Sequence, residues 1–272
     1  MTKVAFQGEI GAFSEDAAIK FFGVIEPLPS RSFADAFESV SRGAADFGVV
    51  PIENSQAGSI NDTYDLLLKY DLNICGEIVL PVNQCLMAPE GETPETIKYV
   101  YSHPQALTQC EEYLRKLNAT IMPTYDTAGS AKLVKEKGLR HSAAVASRRA
   151  AQIYGLKLLA ENIQTNPSNY TKFVVISRQK AGRAANSKTS IVFATKNMPG
   201  TLYASLGAFA TRGINLTKLE SRPSRQKPWE YVFYADFEGH VEDKPCLAAL
   251  ETLRGTTKFI KILGSYPRAT ES

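Results

Sequence analysis

The chain has 272 residues, nearly twice the ~150 residues of a common domain, so two units that can each bury a core are expected. Lys and Arg number 31 against 28 Asp and Glu, a formal charge of +3, which is too mild to argue for nucleic acid. A hydrophobic content of 44% and a charged content of 22% exclude disordered and collagen-like classes, and no apolar run approaches the roughly 20 residues of a membrane-spanning helix.

In chain order, Val4–Phe6 reads as a strand, with nothing before it that resembles an export signal, so a cytoplasmic protein is expected. Further strands are read at Asp46–Ile52, Leu72–Ala88, Tyr99–Tyr101, Ala143–Ala146 and Phe173–Ile176, and helices at Ser14–Phe22, Phe33–Ser41, Asn61–Leu68, His103–Leu117, Ala128–Lys137 and Ser147–Tyr154. Such alternation implies parallel sheets covered by helices. The long stretch Leu72–Ala88 suits a chain crossing between two α/β lobes, and Thr171–Ile176 a returning strand, which places a cleft between the lobes. Arg178–Lys188 is small, polar and free of large apolar residues, the pattern of a linker. After it come a strand Thr189–Thr195, a helix Gly200–Arg212, strands near Asn215–Ser221 and Trp229–Phe237, a helix Lys244–Arg254 and a strand Phe259–Leu263, the βαββαβ order of a ferredoxin-like domain. The basic run Arg222-Pro223-Ser224-Arg225-Gln226-Lys227 reads as a solvated loop.

Cys75, Cys85, Cys110 and Cys246 form no C-x-x-C pair, and His103, His141 and His240 stand at no metal-ligand spacing, so buried thiols are expected rather than disulfides or zinc. Four segments can carry chemistry. Gly8-Glu9-Ile10-Gly11-Ala12-Phe13-Ser14 leads from a strand into a helix with Ser14 as its expected cap, a start that favours an anion but also suits an ordinary capped turn. The strand Asp46–Ile52 ends abruptly in Glu53, Asn54 and Ser55, where ligands sit in open α/β sheets. Ser102-His103-Pro104-Gln105 repeats the strand-to-helix pattern, with Ser102 as expected cap and His103 a candidate acid or base. Asn169-Tyr170-Thr171-Lys172-Phe173 sets a hydroxyl and a cation side by side at a strand's mouth, although threonine in strands is commonplace.

Taken together, Gly11-Ala12-Phe13-Ser14, Gly48–Ser55, Ser102–Leu107 and Asn169–Phe173 resemble the motifs of prephenate dehydratase. The C-terminal region resembles an ACT domain, with Pro199-Gly200-Thr201-Leu202 like the family's Gly-Ala-Leu-Val segment and Glu220-Ser221-Arg222-Pro223 matching its Glu-Ser-Arg-Pro segment. The resemblance implies a catalytic domain over 1–178 of two periplasmic-binding-protein-like lobes, about 1–80 with 162–178 and about 81–161, around an active-site cleft, followed by a regulatory ACT domain over 188–268. No chorismate mutase extension is expected ahead of Lys3.

The implied reaction is decarboxylative dehydration of prephenate to phenylpyruvate, without cofactor or metal. The implied effector is L-phenylalanine, bound by the ACT domain at a homodimer interface, with tetramers usual in the family and no nucleic-acid or membrane partner. By similarity Thr171 is the catalytic hydroxyl, with Ser14, Asn54, Ser55, Gln105, Lys172 and Phe173 as substrate contacts, and Gly200, Thr201, Leu202, Asn215, Leu216, Glu220 and Ser221 as effector contacts. Lys172 stands where the family usually has Arg, keeping the charge but losing the bidentate fork, so activity with weaker substrate binding is expected. Thr201 and Tyr203 likewise depart from the family's Ala and Val. Competing readings are arogenate dehydratase, the same reaction on the amino-acid analogue, and a sensor that captures a small anion without turnover.

Overall fold

The computed structural model describes residues 1–224 and 230–269, so Arg225, Gln226 and Lys227 of the basic run and Trp229 of an expected strand lie outside the described residues. The chain divides into two compact units: Met1–Thr63 with Ile78–Phe173, and Tyr64–Glu77 with Val174–Ser272. Among the described residues no helix is long and apolar enough to cross a membrane.

The first unit begins with β1 (Thr2–Gln7), α1 (Phe13–Phe22), β2 (Ile25–Ser30), α2 (Phe33–Ser41), β3 (Phe47–Asn54) and β4 (Gly58–Ser59). Ser32 and Asp35 form a capping box that starts α2, and Ala36, Phe37 and Val40 are the stripe it buries. Next, α3 (Asn61–Lys69) and β5 (Asn73–Pro81) each run from one unit's residues into the other's. The chain continues through β6 (Cys85–Ala88), β7 (Tyr99–Ser102), α4 (Pro104–Gln109), α5 (Glu111–Lys116), β8 (Thr120–Pro123), α6 (Thr127–Glu136), β9 (Ser142–Ala146), α7 (Arg148–Tyr154), β10 (Lys157–Ala160) and β11 (Tyr170–Ser177).

Two sheets result, ordered β2-β1-β3-β11-β5 with β4 beside β3, and β10-β6-β9-β7-β8. The first lobe's β1 is parallel to β2 and β3, and the second lobe's β7 is parallel to β8 and β9. The expectation of purely parallel sheets is corrected: β4 is antiparallel to β3, and β6 is antiparallel to both β9 and β10. The second sheet is covered on both faces. Ala128, Ala131, Val134, Ala150 and Ala151 of α6 and α7 pack with Met87 and Ala144 in one cluster, and Leu107, Cys110 and Leu114 pack with Leu86, Val100 and Val145 in another.

The single strand expected over Leu72–Ala88 is two, because Pro81 ends β5 and cannot donate to a ladder. The helix expected over His103–Leu117 breaks at Cys110, which leaves helical geometry at φ −107° and ψ 12°. Four strands, β2, β4, β8 and β10, are additions to the sequence reading.

In the second unit, β12 (Ser187–Thr195), α8 (Thr201–Ala210), β13 (Leu216–Pro223), β14 (Tyr231–Glu238), α9 (Lys244–Thr256) and β15 (Thr257–Pro267) form an antiparallel sheet ordered β13-β14-β12-β15. Phe209 of α8 and Ala249, Leu250 and Leu253 of α9 cover it through Ile191, Phe193 and Phe237. This is the βαββαβ ferredoxin-like arrangement. Within the same unit Lys188 is buried and ion-paired with Glu77 of β5 and, at 3.3 Å, with Asp236 of β14.

Candidate active site

The carboxyl end of β3 meets the start of β11 in reverse chain order. The Ser55 amide donates to the Tyr170 carbonyl at 2.8 Å, and the Tyr170 amide to Ser55 Oγ at 3.0 Å. One step along, Asn54 Nδ2 donates to Thr171 Oγ1 at 3.0 Å, and a further step brings Lys172 Nζ to 3.5 Å from Glu53 Oε2. Successive strand residues point to opposite faces, so Asn54 and Thr171 share one face of this pair while Glu53 and Lys172 share the other.

The Asn54 face is a closed polar network. Asn54 Oδ1 accepts the Gln56 and Ala57 amides at 3.0 Å each, which fixes which end of its side-chain amide is the acceptor. Its Nδ2 therefore faces Thr171 Oγ1 and, at 2.8 Å, Asn169 Oδ1. Asn169 Nδ2 in turn donates to Gln109 Oε1 at 3.0 Å. Asn54, Asn169 and Thr171 are 4%, 1% and 8% exposed. A threonine hydroxyl that accepts from an amide keeps its own proton to give away, so this network turns Thr171 into a directed hydrogen-bond donor.

Other expected residues stand differently. Phe173 is on the Thr171 face but is 2% exposed and belongs to the core. Ser14 is buried in the first turn of α1, whose N-cap is Ala12; the expected Ser14 cap is corrected, and no side-chain oxygen caps this helix. Gly11 holds φ +93°, and a Cβ there would stand 3.0 Å from the Ala150 Cα, so this turn needs glycine to approach α7. Gln105 is exposed, and the network's glutamine is Gln109, one helical turn further along α4. His103, not Ser102, caps α4: its Nδ1 accepts the Gln105 amide at 3.2 Å, while Ser102 Oγ donates to the Val145 carbonyl. A His that accepts at Nδ1 carries its proton on Nε2. Burial lowers its pKa against the pull of Asp126, so the imidazole is neutral and serves as a donor rather than an acid.

Around the first loop the structure joins groups that the sequence offers only singly. The Glu9 carboxylate accepts from Tyr125 Oη at 3.1 Å and Lys132 Nζ at 3.0 Å, and the Glu9 amide donates to Asp126. Tyr125 is 62% exposed, and partial desolvation of its phenol, with the Glu9 charge beside it, pushes it up to about 12. Burial also raises Asp126, although backbone amides that include Gly129 and Glu9 hold it down. Arg149 of α7 reaches buried Glu15 at 3.3 Å and Asp16 at 3.4 Å. No local pattern marks these pairings, because the partners lie more than a hundred positions apart.

In the second unit, Gly200 holds φ +79° at the start of α8, and Thr201 Oγ1 donates to the Lys196 carbonyl at 2.7 Å and the Met198 carbonyl at 2.9 Å. Leu202 is half-buried against the core, and Tyr203 is 82% exposed. The Asn215 carbonyl accepts the Glu238 amide, Leu216 opens β13 opposite Phe237, and Glu220 pairs with Lys218 at 3.4 Å, one residue before exposed Ser221.

A family model described as prephenate dehydratase matches residues 4–181, and one described as ACT domain matches residues 189–255. The chain is 45% identical over 276 residues to arogenate dehydratase/prephenate dehydratase 2, chloroplastic, of Arabidopsis thaliana, covering 97% of this chain and 72% of that one. A solved prephenate dehydratase from Arthrobacter aurescens, in complex with L-Phe, is 33% identical with a TM-score of 0.90, covering 98% and 90% of the two chains. A solved protein described as GqqA, a novel type of quorum quenching acylase, is 34% identical with a TM-score of 0.89, covering 98% of each. On this sequence and structural similarity the chain belongs to the prephenate dehydratase family, with an ACT domain after the dehydratase domain.

Proposed function

We propose that this chain converts prephenate to phenylpyruvate, releasing CO2 and water, in the formation of phenylalanine. The family supports this, and the carrying observation is the Thr171 hydroxyl, which the Asn54 amide leaves free to donate. The ring-carboxylate C–C bond breaks, its electron pair enters the ring, and the C–O bond to the para hydroxyl breaks as the ring becomes aromatic. Hydroxide departs and takes a proton to become water. Aromatisation drives the step, so an oriented donor at the departing oxygen and good positioning suffice. Thr171 is the group we assign to that donor, with Asn54 beside it and neutral His103 able to add a hydrogen bond but not a proton.

We take residues 1–178 as the catalytic domain and 188–268 as a regulatory domain that binds L-phenylalanine and joins two copies of the chain; the L-Phe complex of the Arthrobacter aurescens relative supports the effector. The four cysteines are free thiols, and burial pushes Cys75 and Cys110 up to about 12, which suits a reducing compartment such as the cytoplasm. Arogenate is the second substrate to test, because the Arabidopsis thaliana relative is named for both reactions.

Purified protein is incubated with prephenate and, separately, arogenate, with and without L-phenylalanine, and phenylpyruvate and phenylalanine are followed. Prephenate turnover that collapses in Thr171→Ala and falls when L-phenylalanine is added is the expected result. Turnover of arogenate alone reassigns the substrate. Turnover of neither, with prephenate still bound, sinks the dehydratase reading in favour of a sensor.

A further inference from the structure

We propose that Lys172 and Glu53 are a positioning pair for Thr171, acting from the reverse face of the strands, and that Lys172 is not a ligand of the substrate. The proposal rests on the dehydratase reading for its kinetic arm and on geometry alone for the rest.

Three cross-strand steps hold the end of β3 to the start of β11: Ser55 with Tyr170, Asn54 with Thr171, and Glu53 with Lys172. The first is a pair of backbone-directed hydrogen bonds, the second the polar network, and the third an ion pair of 3.5 Å between side chains about one-third exposed. Each step is displaced by one residue on both strands, so the third lies behind the second. A one-residue slip would put Thr171 on the Lys172 face and take its hydroxyl from the Asn54 amide. β3 and β11 both end or begin here, where strands fray, and β4 adds only Gly58 and Ser59 on the far side of β3.

An ion pair at the last step is suited to hold this register. It adds little to overall stability, because a partly exposed pair is only weakly stabilising. It has a direct lever on one angle of one hydroxyl. Charge, rather than a planar fork, is what this role needs, which gives a physical reason why Lys serves where the family's motif has Arg. A substrate-gripping cation would instead share a face with the Thr171 hydroxyl, and Lys172 does not.

The test compares Lys172→Met, Lys172→Arg, Glu53→Gln and the double variant Lys172→Met/Glu53→Gln in steady-state kinetics on whichever substrate the wild type turns over. The expected result is a kcat lowered about five-fold in either neutral variant with KM within about two-fold, no further loss in the double variant, and recovery with Arg, in keeping with the loss of one partly exposed pair. A KM raised ten-fold or more with kcat kept in Lys172→Met, or losses that multiply in the double variant, overturns the proposal. Hydrogen exchange at the Ser55 and Tyr170 amides is measured in the same proteins without substrate. Faster exchange at these two amides in the neutral variants supports the pair even if the wild type has no dehydratase activity, and unchanged exchange counts against it whatever the kinetics show.

Discussion

Asn54 Nδ2 stands 3.0 Å from Thr171 Oγ1, and the direction of that hydrogen bond is set from behind by two backbone amides on Asn54 Oδ1. The site's polarity is thus built into the turn Asn54–Ala57, which closes on itself before any ligand arrives. On the function proposed above, that would be preorganisation: the Thr171 proton is free to be given before any ligand arrives.

Thr171→Val keeps the branched shape and removes the hydroxyl. We expect kcat to fall about 100-fold or more, the range for loss of one aimed donor, with KM changed only a few-fold. Asn54 Nδ2 keeps the Asn169 Oδ1 and the Tyr170 carbonyl as acceptors for its two protons, so the melting temperature should change little and the fold is kept. Thr171→Ser keeps the hydroxyl and retains most of kcat. Equal kcat in Val and Ser variants would remove Thr171 from the chemistry.

Helix positions with capping boxes and strong apolar stripes, such as Phe33–Ser41, were legible in the chain to the residue, because local bonds decide them. Three of the four missed strands, β2, β8 and β10, are edges of their sheets, and β2 carries Pro27 and Pro29 and buries none of its residues. Such strands lack the apolar alternation that announces a half-buried strand and are held by a neighbour's hydrogen bonds instead. At the site, Asn54 stood out because polar residues ended an apolar run, whereas Thr171 was marked only by the family resemblance. Gln109 and Asn169 complete their network from 60 residues apart, and no spacing rule reaches that far. The hydroxyl and cation of Thr171-Lys172 are adjacent in the chain, but neighbours in a strand face opposite ways, so adjacency alone does not bring them to one ligand.

Asp16 gives a pH dependence with a definite sign. Burial, opposed by Arg149 and assisted by the Glu15 charge, raises its carboxyl from 3.8 to about 6. The folded state then holds this proton more tightly than the unfolded chain, so the group's stabilising contribution is complete below about 4 and is lost as pH rises to about 6. The full shift corresponds to about 3 kcal/mol, and the 28% exposure of the side chain reduces it. Asp16→Asn is therefore expected to gain stability on the wild type steadily between pH 4 and 6 and to hold that gain above 7, read by urea unfolding across the range. A difference independent of pH would show that Asp16 is not strained by burial.

Lys188 presents the opposite case, a buried charge satisfied twice. Burial works against its ammonium, but Asp236 and Glu77 together hold its pKa above the ordinary value. Lys188→Met leaves two carboxylates facing one another out of water, and about 3–5 kcal/mol of stability should go with it. Adding Glu77→Gln removes one of those charges and is expected to recover part of the loss. If the double variant were less stable than Lys188→Met, the damage would lie in the lost contact of the ammonium with the Tyr266 ring rather than in unpaired charge.

Gly264 sits in β15 at a register shift opposite β12, where a Cβ would meet the Ile74 carbonyl oxygen at 2.1 Å and the Ile74 N and C at 2.9 Å. Those are main-chain atoms of β5, so no rotamer change relieves the clash, and β5 or β15 must move. Gly264→Ala should cost about 3 kcal/mol or more, beyond the usual range for one added methyl in a tight core. Gly255, near the end of α9 with nothing within 4 Å of its Cβ position, is the control. There alanine relieves the glycine penalty in a helix and should add roughly 0.5–1 kcal/mol. Both variants add the same methyl group, so opposite signs in thermal or urea unfolding isolate the backbone approach at Ile74. A Gly264→Ala protein as stable as the wild type would mean that β5 and β15 are not in contact there.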